Sequence, residues 1–135
     1  MKKFYCRGKT PSSEEYFDDG EWVVGYYTCF NGLEHRIYNG YAETDCGDYY
    51  PDWESVVPET VGRYTGKEDI HYDRIFEGDI VSKVVNDKVL TGKVEYADGA
   101  FGVRFADGSG QFLCFFADDC EIIGNIYDTP EFMGN

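Results

Sequence analysis

In its second half the chain alternates short apolar runs with pairs of turn-forming residues. That rhythm predicts a succession of strands and hairpins. In Phe101, Val103 and Phe105 against Gly102 and Arg104 the alternation is strict, which is the two-residue period of a strand with one buried face. Asn86-Asp87, Asp98-Gly99 and Asp107-Gly108 fall between the runs, where residues that tolerate positive φ suit hairpin turns. Strands are predicted near 60–65, 78–85, 88–96, 101–105, 111–116 and 121–127. A meander of five or six short strands closes naturally into a small barrel, which removes its free edges.

The first half is less regular. Lys3 to Arg7 reads as a strand, and so does Glu21 to Thr28, where Trp22, Val24 and Tyr26 alternate with Val23, Gly25 and Tyr27. The polar stretch Pro11 to Glu15 and the Asp19-Gly20 turn signal lie between them, so the two are expected to pair antiparallel. From Phe30 to Pro58, Gly32, Gly40, Gly47, Pro51 and Pro58 interrupt any period. This segment is expected to be a long excursion with one short strand, or a helical turn, around Asp52 to Val56. The division that follows is 1–58, an N-terminal β segment with an irregular acidic and aromatic excursion, and 59–135, a small β-barrel, the two forming one compact unit.

Composition supports a folded chain: 135 residues, 42% hydrophobic and 18% aromatic, with 12 Tyr and 10 Phe. No apolar run approaches the roughly 18 residues of a membrane span, and MKKFYCRGK lacks the apolar stretch of a secretory signal. A cytoplasmic protein without membrane contact is expected. The five cysteines, Cys6, Cys29, Cys46, Cys114 and Cys120, are widely spaced and odd in number, which suits reduced thiols. With no C-x-x-C pair and only His35 and His71 as histidines, no metal site is expected.

The formal net charge of −14 is unevenly placed. Ile37 to Gly62 holds six carboxylates (Glu43, Asp45, Asp48, Asp52, Glu54 and Glu59) and no Lys or Arg. Phe105 to Asn135 holds six more (Asp107, Asp118, Asp119, Glu121, Asp128 and Glu131), again with no base. Such a field repels phosphate and argues against direct nucleic-acid binding. It attracts basic surfaces, of which nucleic-acid-binding proteins are the commonest carriers. Tyr38, Tyr41, Tyr49, Tyr50 and Trp53 are interleaved with the first window. Their rings either lie down on a core or form an exposed interface.

The chain contains no phosphate-binding loop, nucleophile elbow, H-E-x-x-H helix or EF-hand loop, and no catalytic residue or cofactor is assigned. A Cys-His pair drawn from Cys6 or Cys29 with His35 or His71 is combinatorially available but carries no spacing signal. In IFEGDIV, Ile75 to Val81, Glu77 and Asp79 lie where a loop becomes a strand, and a turn role is expected for Gly78-Asp79.

Several blocks resemble the YopX family of phage and prophage proteins: Phe4-Tyr5-Cys6-Arg7-Gly8-Lys9 followed by GEWVVGYY from Gly20 to Tyr27, PETVGRYTG from Pro58 to Gly66, IFEGDIV, and CEIIGNIYDTPE from Cys120 to Glu131. They occur in family order and span nearly the whole chain. The resemblance implies a phage or prophage origin, a mainly β fold whose C-terminal part is a small Src-homology-3-like barrel with an N-terminal β extension, and a capacity for self-association. It implies no activity. The sequence departs from the family at His71 to Arg74, where members often carry an Asn-Gly turn, and the excursion matches no family pattern.

By analogy with other small phage proteins lacking catalytic motifs, a non-enzymatic binding role is expected, the first candidate being an acidic inhibitor of a host protein with a basic surface, such as a component of anti-phage defence. Its candidate partner-binding residues are Glu43, Asp45, Asp48, Tyr49, Tyr50, Asp52, Trp53, Glu54, Asp118 and Asp119. The alternative is a homo-oligomer that sequesters a nucleotide-type immune signal, with phosphate taken by Arg7, Arg36, Arg63, Arg74 or Arg104. An accessory or regulatory protein of the phage itself is a further alternative.

Overall fold

A computed structural model describes residues 5–13 and 20–133; Lys3 and Phe4 of the first expected strand, and Glu14, Glu15 and Asp19 of the loop after it, lie outside them. The fold is mainly β, with two antiparallel sheets and little helix. The chain divides into two units, the first ending at Arg63 and the second beginning at Tyr64.

The first unit contains β1 (Tyr5–Lys9), β2 (Trp22–Phe30), β3 (Glu34–Glu43), β4 (Tyr49–Ser55) and the first part of β5 (Val57–Glu68). They lie in the order β4-β3-β2-β1-β5. β1 and β2 pair antiparallel as their alternation predicts, with Tyr5 opposite Tyr26 and Lys9 opposite Trp22. Cys6, Ile37 and Val56 are buried beneath the sheet.

The expectation of an irregular excursion from Phe30 to Pro58 is corrected here. The segment continues the meander as β3 and β4, and Gly32, Gly40, Gly47 and Pro51 each have a place within it, while Pro58 lies on β5. Gly32 belongs to the β2–β3 turn and Gly47 to the β3–β4 turn. Gly40 lies between Tyr38 and Tyr41, where the register shifts, and its φ of 128° is the kink of a β-bulge. Pro51 sits on β4, the edge strand, where a missing amide donor is tolerated. A bulge adds one residue to the strand, so it breaks the two-residue period without ending the ladder.

The second unit comprises the remainder of β5, β6 (Arg74–Phe76), β7 (Asp79–Val85), β8 (Lys88–Ala97), β9 (Ala100–Phe105), β10 (Gly110–Phe112), a one-turn helix α1 (Leu113–Phe116) and β11 (Glu121–Asn125). Five of these strands form a sheet of order β10-β9-β8-β7-β11. The predicted hairpin turns are present: Asn86 and Asp87 both adopt positive φ, as does Asp98 before Gly99. Ile75, Val81, Val94, Val103, Leu113, Phe116, Ala117 and Cys120 make one buried cluster.

The strand expected over 111–116 is also corrected, since it ends at Phe112. The run Leu113-Cys114-Phe115-Phe116 has no alternation to exploit. Wound as a helical turn and continued by the 3-10 turn Ala117–Asp119, it places Leu113, Phe116 and Ala117 on one buried side and leaves Cys114 and Phe115 exposed.

Candidate functional site

The β3–β4 hairpin gathers eight of the ten candidate partner-binding residues. Its tip is a built turn: the Thr44 amide donates to the Asp48 carbonyl at 2.8 Å, and the Asp48 amide to the Thr44 hydroxyl at 3.1 Å. Glu43, Asp45, Asp48, Tyr49, Tyr50, Asp52, Trp53 and Glu54 are all exposed. Tyr38 stands opposite Trp53, Tyr41 opposite Pro51 and Glu43 opposite Tyr49, so these side chains share one face of the hairpin. Tyr50, Asp52 and Glu54 take the other. Tyr41 and Tyr49 are 75% and 72% exposed, so at these positions the rings do not lie down on a core.

One cation stands at the root of this face. Arg36 lies 4.3 Å from the Phe30 ring centre and 3.9 Å from that of Trp53. Its Nη2 donates to Glu34 at 2.7 Å and its Nη1 to the Tyr38 hydroxyl at 3.1 Å. The hydrogen bond from Arg36 holds the Glu34 carboxyl below its ordinary range, and the same bond raises the arginine. Nε of Arg36 is buried without a hydrogen-bond partner.

On the opposite face Cys29 is the direct cross-strand partner of His35. The Tyr27 hydroxyl and Nδ1 of His35 share a hydrogen bond of 2.5 Å, and the two rings are stacked. Burial, then the neighbouring Cys29 and Cys6, push the Tyr27 phenol up. Among the described residues no hydrogen bond joins the Cys29 thiol to the imidazole. All five cysteines are free; Cys6 and Cys120 are buried. Burial pushes the Cys120 thiol up to about 11, with the Asp69 carboxylate adding to it.

Asp118 and Asp119 belong to the second unit, exposed on the 3-10 turn, with Lys83 Nζ 3.9 Å from Asp119. The five candidate arginines are dispersed. Arg7 on β1 lies over Trp22 at 4.7 Å, and Arg63 on β5 stands opposite Cys6. Arg74 on β6 stands opposite Glu68 and 5.7 Å over Tyr64. Arg104 donates through Nε to Glu95 at 2.5 Å and through Nη1 to the Gly108 carbonyl at 2.8 Å.

Arg104 also lines a trough of about 480 Å³ in the second unit that sequence reasoning missed. Its floor is formed where Glu95 stands opposite Gly102 and Ala97 opposite Ala100 on β8 and β9. Ala97, Ala100 and Gly102 make a low floor, Phe112 and Phe115 a wall, and Glu95 and Asp98 add carboxylates. Phe112 and Phe115 are 59% and 67% exposed and meet edge to face. The sequence signal was available in the small residues at alternate positions 100 and 102, but recognising it required knowing that α1 turns Phe115 toward them.

Two buried carboxylates have structural work. Asp79 accepts from the Phe76 amide at 2.8 Å, closing the β6–β7 turn around Gly78, whose φ is 90°. Asp69 accepts from the amides of His71, Asp73 and Ile122 at 2.9, 3.0 and 3.0 Å. Burial alone would push the Asp69 carboxyl up, but these three donors prevail and it lies below its ordinary value. Among the described residues no group of three or more His, Cys, Asp or Glu side chains is placed to hold a metal, and no helix is long and apolar enough to cross a membrane.

The sequence profile of the YopX protein family matches residues 15–134. No curated protein matches the chain significantly. Among solved structures, the crystal structure of protein EF1440 from Enterococcus faecalis is similar over 97% of this chain and 96% of its own, with a TM-score of 0.52 and 21% sequence identity. A likeness at that identity concerns the fold alone.

Proposed function

This chain belongs to the YopX family, and we propose that within it the protein is a phage-encoded, non-enzymatic binding protein that acts in the cytoplasm of a bacterial host. Its target is a host protein with a basic, nucleic-acid-binding surface, of the kind found in anti-phage defence, and its effect is inhibition by occupying that surface. The observation that carries this reading is the β3–β4 hairpin: beyond Arg36 it holds five carboxylates (Glu43, Asp45, Asp48, Asp52 and Glu54) and no Lys or Arg, with the rings of Tyr41, Tyr49, Tyr50 and Trp53 exposed beside them. Acidic groups steer a basic partner and exposed Tyr and Trp supply the contact area. Asp118 and Asp119 give the second unit an exposed acidic pair of its own. We read the sheet β10-β9-β8-β7-β11 as the small Src-homology-3-like barrel of the family; the antiparallel meander from β7 to β10, with β11 returning to pair with β7, supports that reading.

The sequestering homo-oligomer is the second reading; a phosphate there needs an uncommitted guanidinium, and two of the five candidate arginines have little to spare. Arg36 is engaged by Glu34 and Tyr38, and Arg104 by Glu95 and Gly108.

Native mass spectrometry of the protein purified from a bacterial host identifies the partner, and association kinetics with that partner then test the surface. Reversing Asp45, Asp48, Asp52 and Glu54 to Lys is expected to slow association by roughly tenfold or more and to flatten its salt dependence. Unchanged affinity in the reversed variant would overturn the reading.

A further inference from the structure

We propose that the trough on β8, β9 and β10 is a second recognition site, one that takes an arginine side chain of an extended basic segment. The inference rests on the reading of the partner as basic, and it adds a pocket to what was otherwise a charged surface.

Shape comes first. Ala97, Ala100 and Gly102 leave a channel with no side chain tall enough to fill it, and Phe112 and Phe115 stand along it largely uncovered by the chain. A slim unbranched stem fits over such a floor. Exposed phenyl faces beside a cavity are an incomplete apolar contact, which an alkyl stem or a planar group completes.

Charge then selects the head group. Glu95 neutralises Arg104 through its bond to Nε, and the Gly108 carbonyl takes Nη1, so the guanidinium already in the trough is compensated from within. The residual charge of the lining is that of Asp98, negative, in a chain whose formal net charge is −14. An anionic ligand would meet Asp98 and Glu95 as well as Arg104. A cationic ligand meets the carboxylate of Asp98 and two aromatic faces, beside an Arg104–Glu95 pair whose charges cancel.

The chain itself shows this chemistry: Arg36 packs its guanidinium between Phe30 and Trp53 while Glu34 holds its edge. The trough presents two exposed phenyl rings and the carboxylate of Asp98, with its own Arg104 bonded to Glu95. Guanidinium is preferred to ammonium because a planar group can stack on a phenyl ring and bond a carboxylate along its edge at once.

Amide chemical-shift titration with N-acetyl-arginine-amide, and in parallel with the lysine and leucine counterparts and with adenosine monophosphate, tests the site directly. Arginine is expected to shift residues 97–104 and 110–115 in a saturable manner, with lysine weaker. The Phe112→Ala/Phe115→Ala pair should weaken arginine binding by roughly tenfold, and Glu95→Gln/Asp98→Asn should weaken it by several fold while leaving the leucine response unchanged. Phe112, Phe115 and Asp98 are exposed, so these variants test recognition without opening the core. Shifts there with leucine or the nucleotide but not arginine, or no saturable shift with any probe, overturn the proposal.

The hairpin charge-reversed variant, titrated in the same way, separates this proposal from the one above. Arginine shifts in the trough should persist in it. If the trough is silent while hairpin reversal still weakens the partner complex, only the present inference fails. If the trough responds and hairpin reversal leaves the complex unchanged, only the earlier reading fails.

Discussion

In the second unit ten apolar side chains from Ile75 to Cys120 are buried, eight of them in one cluster, whereas the described residues of the first unit bury Cys6, Ile37 and Val56. The first unit nevertheless carries Tyr26, Phe30, Tyr41, Tyr49, Tyr50 and Trp53, all exposed. The contrast lies in where comparable apolar material is placed. Rings left in water contribute little to folding and remain available to a partner, while side chains packed around Phe116 contribute to folding and are unavailable.

The largest effect that would sharpen this contrast is in the core. Phe116, fully buried, is expected on change to Ala to cost about 3–5 kcal/mol, read as a lower midpoint in urea. A loss below about 1 kcal/mol would mean that the cluster is not the stabilising centre of its unit.

Asp69 comes next. Changing it to Ala leaves three amides without their acceptor and is expected to cost about 1–3 kcal/mol. Because the native carboxyl titrates below the unfolded value of about 3.9, its contribution is complete above that value and disappears as the pH falls through the lower, native one. The acid limb of the stability profile should therefore be shallower in Asp69→Asn than in the parent. An unchanged acid limb would show that the carboxylate's bonds carry no net stability.

The smallest stability effect is expected from the joint change of Tyr41 and Tyr49 to Ala, within about 0.5 kcal/mol, although the same pair should weaken partner binding. A large loss of stability there would move these rings to the structural side of the comparison.

Much of the second unit was legible because its strands are short, alternating and separated by Asn, Asp and Gly, each a local signal. The β3–β4 hairpin was not, because a bulge at Gly40 shifts the period midway and Pro51 looks like a break until β4 is known to be an edge. Its acidic and aromatic character was readable from composition, but the shared face of Tyr38, Tyr41 and Trp53 needed the register. The trough was invisible for a different reason. It depends on α1, where an apolar run with no period of its own turns helical because Leu113, Phe116 and Ala117 find the core.

The bond from the Ile122 amide to Asp69 joins residues 53 positions apart. At the ribosome that distance is a delay: at 5–20 residues per second, roughly three to ten seconds separate the synthesis of one partner from the other. During that interval Asp69 can gather the amides of His71 and Asp73, so the loop forms with one carboxylate oxygen unspent. A nascent chain in which that loop has formed would hold a prepared acceptor for a strand that has yet to be made.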